Sequence, residues 1–320
     1  MKQVLYPDSV EQTSLDEKIP LFGGAFMQFK KRLEAGEFAC LVQVEPPKGT
    51  DVSIMQKDAV SVKGVADAFL IPEMNNAVMR MSSLGAALVL REKGLDTVIQ
   101  VNCRDRNRLA LQGDLLAAAA LGISSMMVVT GEDPSFGDHH TAKAVYDITR
   151  EELVKGVGTL ESGRDMSGVE LAGSPAFAKG SVINTCVRGA DRENELERMK
   201  QMIDLGVSFF ITQPIFEFEM TETFKNTAEK NGVKIIPTVL LIKSLGMARY
   251  MSRNIDSVNL PDPVIERIQK AGDKVKESTG IAKEMIKEIK RKEFGGVNVS
   301  CMGWEQKLPE ILGVMEGLKG

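Results

Sequence analysis

The chain has 320 residues, with 40 basic and 44 acidic side chains and a net charge of -4. That balance leaves no electrostatic footprint for nucleic acid, and no apolar run reaches the roughly 18 residues that a membrane helix needs. The N-terminal stretch MKQVLYPDSVEQTSLDEK lacks the apolar core and cleavage site of a signal peptide, so a cytoplasmic location is expected.

In chain order, a polar arm comes first, and then AFMQFKKRLEAG (Ala25 to Gly36) has helical apolar spacing closed by a glycine, which predicts a lid helix ahead of the first strand. Short β-like runs rich in Val, Ile, Leu, Met and Phe follow at 38–45, 66–71, 97–102, 125–130, 180–185, 208–212, 234–240 and 296–301. Helical patterns alternate with them at 77–93, 107–121, 192–205, 217–231 and 281–293, several stopped by glycine. Near-continuous apolar strands are those covered on both faces, as in a parallel sheet. The expected fold is therefore α/β, a single (β/α)8 TIM barrel spanning 37–320, with 1–36 as an N-terminal arm and helix. The Gly/Ser-rich stretch 154–179 reads as an insertion after strand 4, at or near the mouth of the barrel.

Three apolar runs end in an acid or amide beside proline: LVQVEPP, VVTGEDP and FFITQP. A parallel barrel gathers its strand exits at one face, so Glu45, Glu132 with Asp133, and Gln213 are expected to converge there. Glu45, losing water at the end of an apolar strand, is a candidate general acid; capping of the following turn or pairing with Lys48 is the plainer role. Gly131 permits close backbone approach to a flat ligand, although GEDP is also an ordinary acidic turn. Gln213 can donate and accept at once, which suits pterins, amides and nicotinamides, or can satisfy loop backbone. In NCRDRN, a phosphate clamp competes with Asp105 or Asn107 as a helix N-cap flanked by solvated arginines. There is no P-loop and no G-x-G-x-x-G. Four cysteines without a C-x-x-C pair and two adjacent histidines argue against a metal site in this chain.

The blocks VEPPKG, AVMRMSSLGAALVLREKG, CRDRNRLALQGDLLAAAALGI with VVTGEDPSFGDHHTAKAVYDI, ENELERMKQMIDLGVSFFITQPIFE and GIAKEMIKEIKRKEFGGVNV together resemble the methylenetetrahydrofolate reductases, specifically the short bacterial catalytic-barrel form. The resemblance implies a cytoplasmic flavoprotein of one-carbon metabolism and methionine biosynthesis. It would reduce 5,10-methylenetetrahydrofolate to 5-methyltetrahydrofolate with FAD, or FMN, and NADH or NADPH as electron donor. Glu45 matches the family's catalytic glutamate, which protonates N10 and opens the folate ring. Glu132 falls where the family has an aspartate near flavin and pterin, with Asp133 as the neighbouring alternative. Gln213 matches a pterin-contacting glutamine. Thr130, Gly131, Val145, Tyr146 and Asn184 fall in flavin-lining stretches, as does Gln100, where a histidine is often found. Pro72, Met202 and the Gly303-Trp304 pair depart from the family pattern.

Some relatives work with a separate iron–sulfur or zinc subunit, so the expected partners are such a subunit or further copies of the chain, with the arm 1–24 as a docking element. A flavin-free pterin- or corrinoid-linked methyltransferase barrel and a non-catalytic barrel subunit are the competing readings.

Overall fold

The computed structural model describes residues 27–318, so the arm 1–24 lies outside the described residues. Eight strands, β1 Ala39–Gln43, β2 Ala68–Ile71, β3 Thr97–Asn102, β4 Ser125–Val129, β5 Ala178–Ile183, β6 Phe209–Pro214, β7 Lys234–Leu240 and β8 Gly296–Ser300, pair in parallel in sequence order. Pairing of β1 with β8, from Ala39 opposite Gly296 to Gln43 opposite Ser300, closes the barrel. The helices are α1 Gln28–Ala35, α2 Ser53–Ser61, α3 Ser83–Arg91, α4 Arg108–Ala120, α5 Arg150–Glu161, α6 Gly189–Asp204, α7 Glu219–Lys230, α8 Leu245–Asn254, α9 Asp262–Lys270, α10 Lys274–Arg291 and α11 Leu308–Leu312. None of them is long and apolar enough to cross a membrane.

Side chains alternate along each strand. Ala39, Leu41, Ala68, Leu70, Val98, Met127, Phe209, Ile211 and Ile236 fill the barrel interior, while their neighbours Cys40, Val42, Phe69, Ile99, Val128, Phe210 and Ile235 pack outward under the helices. The same parity carries Gln43, Gln100, Asn102, Asn184, Gln213, Asn298 and Ser300 inward, from mid-strand in β3 and β8 to just past the end of β5. A packed apolar plug thus gives way to a polar mouth.

The helix ahead of β1 is no lid. Phe29 of α1 is completely buried among the interior residues at the opposite, N-terminal end of the barrel, edge-on to Phe209 with ring centroids 5.1 Å apart. Burial of a ring this size contributes about 2–3 kcal/mol. Gly180 makes room for it: a β-carbon there would lie 2.2 Å from the Phe209 ring. Asp96 caps α1 from another part of the chain, accepting from Phe29 N at 3.1 Å and Thr97 N at 2.9 Å.

Two further expectations are corrected. Within 77–93 only α3 is regular helix, begun by Ser82, which accepts from Gly85 N; residues 78–82 instead run across the mouth, held by Met81 N donating to Pro47 O. The connection after β4 is long, but its Gly/Ser-rich stretch is not at the mouth. Its first part belongs to α5, opened by a Thr149–Glu152 capping box, and the remainder returns to the start of β5 at the far end. The segment at the mouth is 130–149. The β7–β8 connection also carries α8 and α9, which enclose a satellite core with Phe216, Leu240, Ile242 and Ile281.

Candidate functional site

Glu45 stands two residues beyond the end of β1, on the same side of the chain as Gln43. Its carboxylate accepts from Gln43 Nε2 at 3.1 Å and Asn75 Nδ2 at 3.3 Å, and faces Arg80 Nε at 3.6 Å. The desolvation expected of it is partial, because its side chain keeps 24% exposure. Lys48 does not pair with it but with Asp138 on the β4 loop. Arg80 is oriented by a second bond to Pro46 O at 3.1 Å. Glu45, Asn75 and Arg80 line a cleft of about 410 Å³ together with Pro47, Met55 and Met302.

A second group of residues gathers across the mouth. Asn184 and Gln213 line a cleft of about 310 Å³, and Thr130 and Tyr146 line another of about 450 Å³; Arg150 and Arg198 border both, so the two adjoin. The Gln213 carboxamide makes no hydrogen bond among the described residues. Asn184 is fixed by its N–H to Glu195 Oε1 at 3.0 Å and by accepting from Cys186 N at 3.0 Å. Tyr146, itself at φ 40°, donates its hydroxyl to Gly131 O at 3.1 Å.

Gly131 has φ +88°, and a β-carbon on it would meet Arg104 Cβ at 2.9 Å. Both reasons exclude a side chain there. The acidic pair after it divides. Asp133 caps the turn Pro134–Phe136 by accepting from Ser135 N at 2.8 Å, and its hydrogen bonds to Ser135 hold its carboxyl below the usual range. Glu132 is half exposed and lies 3.8 Å from Arg104 Nη1.

Arg104 is not one of the solvated arginines expected from NCRDRN; it is 2% exposed. Its Nε and Nη2 each reach the Asp105 carboxylate at 2.7 Å, Nη2 also donates to Met74 O at 3.3 Å, and Nη1 donates to Glu132 O at 3.0 Å. Burial works to raise the Asp105 carboxyl, but bonds from Arg104 and Asn102 outweigh it and hold it below the ordinary value. Asn107 is the N-cap of α4, accepting from Leu109 N and Ala110 N at 3.1 Å.

The remaining candidates sit apart or serve the frame. The Gln100 oxygen accepts from Glu73 N at 3.0 Å, which ties β3 to the β2 exit. Val145 N donates to Arg104 O at 2.7 Å while its side chain is exposed. Met202 is a buried core residue of α6. The sequence reading missed Gln43, Asn75, Arg80, Arg150 and Arg198. Arg80 was hidden inside a run read as helix; Arg150 carried a usable signal, since T-x-x-E places it at the first position of a capped helix.

A closed parallel barrel with polar clefts at its strand exits is an architecture that binds small molecules at that face. The chain belongs to the methylenetetrahydrofolate reductase family, whose model matches residues 28–316. Membership points to oxidoreductase chemistry related to methylenetetrahydrofolate. Among solved structures, an uncharacterized protein from Clostridium thermocellum that binds two copies of 5-methyl-5,6,7,8-tetrahydrofolic acid matches with a TM-score of 0.62 and 16% identity, over 91% of this chain and 98% of its own. An EDTA monooxygenase from Chelativorans sp. BNC1 matches with a TM-score of 0.50 and 10% identity, over 88% and 94% of the two chains. Similarity at this level is similarity of fold.

Proposed function

We propose that the protein reduces 5,10-methylenetetrahydrofolate to 5-methyltetrahydrofolate with a bound flavin, FAD or FMN, that is replenished by NADH, NADPH or electrons from a partner subunit. One observation carries this reading beyond family membership: Thr130, Tyr146, Asn184 and Gln213, drawn from three strand exits, line two adjoining clefts that share Arg150 and Arg198. These residues suit a flavin. Two guanidinium groups can hold phosphate, and Thr130 and the Tyr146 ring line the adjoining cleft. When bound, the flavin supplies the hydride.

The chain's own groups then have separate tasks. Gln213, with its carboxamide uncommitted, reads the donor–acceptor edge of the pterin. Glu45 offers the proton to folate N10, oriented by Gln43 and Asn75. Glu132 supplies the charge beside the ring, because Asp133 is engaged in its turn. The protein acts as a homo-oligomer or with a separate iron–sulfur or zinc subunit, in the cytoplasm.

A second reading, a folate-binding barrel without turnover, is favoured by the surroundings of Glu45. Its neighbours Gln43, Asn75 and Arg80 all present donors, the environment of an acceptor. Purification should give a yellow protein that NADH bleaches anaerobically, alone or with added extract, and that is reoxidised by methylenetetrahydrofolate. Glu45→Gln should abolish that reoxidation while 5-methyltetrahydrofolate still binds. Methylene reduction that survives the substitution removes the general-acid role, and a colourless protein that binds no added flavin defeats the reductase reading.

A further inference from the structure

One buried side chain reaches both halves of the mouth. The Arg104 guanidinium bonds to Met74 O on the β2 loop, to Asp105 on the β3 loop and to Glu132 O on the β4 loop. The residue after Met74 is Asn75, which donates to Glu45; the residue before Glu132 is Gly131, which accepts from Tyr146. The β2 loop does not take this shape on its own preference. Met74, Asn76 and Ala77 have φ of 47°, 54° and 55°, left-handed backbone that Met and Ala in particular avoid, so the loop is held from outside.

We propose that Arg104 is a positioning residue that sets the Glu45–Asn75 cleft and the Gly131–Tyr146 turn relative to one another, so that occupancy of either is felt at the other. Three acceptors on three loops need a planar fork with donors at fixed angles. Lysine, a point donor on a flexible stem, cannot replace it. Gly131 belongs to the same device, since its missing β-carbon lets the Arg104 stem pass.

The structural half of this inference is independent of the proposed activity, whereas its ligand half rests on the folate and flavin reading. Amide hydrogen exchange tests the first. In Arg104→Lys and Arg104→Gln, segments 73–79 and 130–137 should both exchange about tenfold faster while β6 to β8 keep their protection. Gly131→Ala retains Arg104 but presses on its stem, and should loosen 73–79 as well; it decides the matter if the arginine variants do not fold. Acceleration confined to 130–137, or none, overturns the proposal.

Titration tests the second half. In the wild type, saturation with FAD or FMN should change the affinity for 5-methyltetrahydrofolate several-fold, and Arg104→Lys should erase that dependence. A merely structural arginine would lower thermal stability and leave the dependence in place, which would also overturn the proposal. Failure of the wild type to bind either ligand would defeat the functional reading alone, because the exchange result still decides the role of Arg104.

Discussion

Gly137 packs against Ala77 so closely that a β-carbon on residue 137 would fall 1.8 Å from the Ala77 carbonyl oxygen. This is the seam between the β4 and β2 loops, and it is reinforced beside the glycine. Asp138 accepts from Met79 N at 2.9 Å and pairs with Lys48, and these bonds hold its carboxyl down at about 2. Gly137→Ala must part the two loops, at a cost of about 1–3 kcal/mol. Limited proteolysis should then cut within 134–142 much faster than in the wild type, and an unchanged rate would mean that the seam is not closed in solution.

At the other end of the barrel, burial pushes the Asp96 carboxyl up to about 6, although Phe29 N, Thr97 N and the Arg91 charge pull it down. The folded protein therefore holds this proton more tightly than the unfolded chain. The contribution is fully favourable below the ordinary value of 3.8 and is lost as pH rises from there through about 6, on the order of 3 kcal/mol in all. Urea midpoints across pH 4 to 7 should show the wild type losing stability relative to Asp96→Asn as pH rises. Parallel profiles would remove Asp96 as the source.

Phe29→Ala should destabilise the fold by about 3–5 kcal/mol, since the ring leaves a closed interior with nothing to refill it. Gly180→Ala attacks the same packing from the other side by displacing Phe209. Equilibrium denaturation measures both. Flavin and folate affinities of the folded fraction should stay near wild type, because the plug lies at the end of the barrel away from the mouth.

Arg80 and Glu45 should behave as a unit. Arg80→Ala is expected to weaken 5-methyltetrahydrofolate binding about tenfold in the wild type and to add little in a Glu45→Gln background, a coupling of roughly 1 kcal/mol or more. Calorimetric titration of the four proteins completes the cycle. Strictly additive losses would show that the two side chains act separately.

The barrel was legible because its signals are local and repeated. Short apolar runs recur eight times at regular spacing, several followed by helices that stop at glycine, so one misplaced end, such as β5 beginning at Ala178 and not at Gly180, leaves the topology intact. The strand-exit residues Glu45 and Gln213 were legible for the same reason. What stayed hidden depends on contacts between distant segments. Arg104 reads as a surface cation until three loops fold over it, and Arg80 sits in an apolar sequence that looks helical until Pro47 O draws the backbone across the mouth. The long stretch after strand 4 misled because glycine content marks irregular backbone but not the end of the barrel to which it returns.

The inward amides Gln43 and Gln213, at the exits of β1 and β6, carry no charge and do not titrate. On the proposed function, a ring edge set against such groups would be chosen by its pattern of donors and acceptors, which salt leaves alone. Arg150 and Arg198 add charge at the border of these clefts, where they pair with Glu151 and Glu195. Ionic strength should therefore govern how readily an anionic ligand arrives, while the choice of which ring is accepted stays the same.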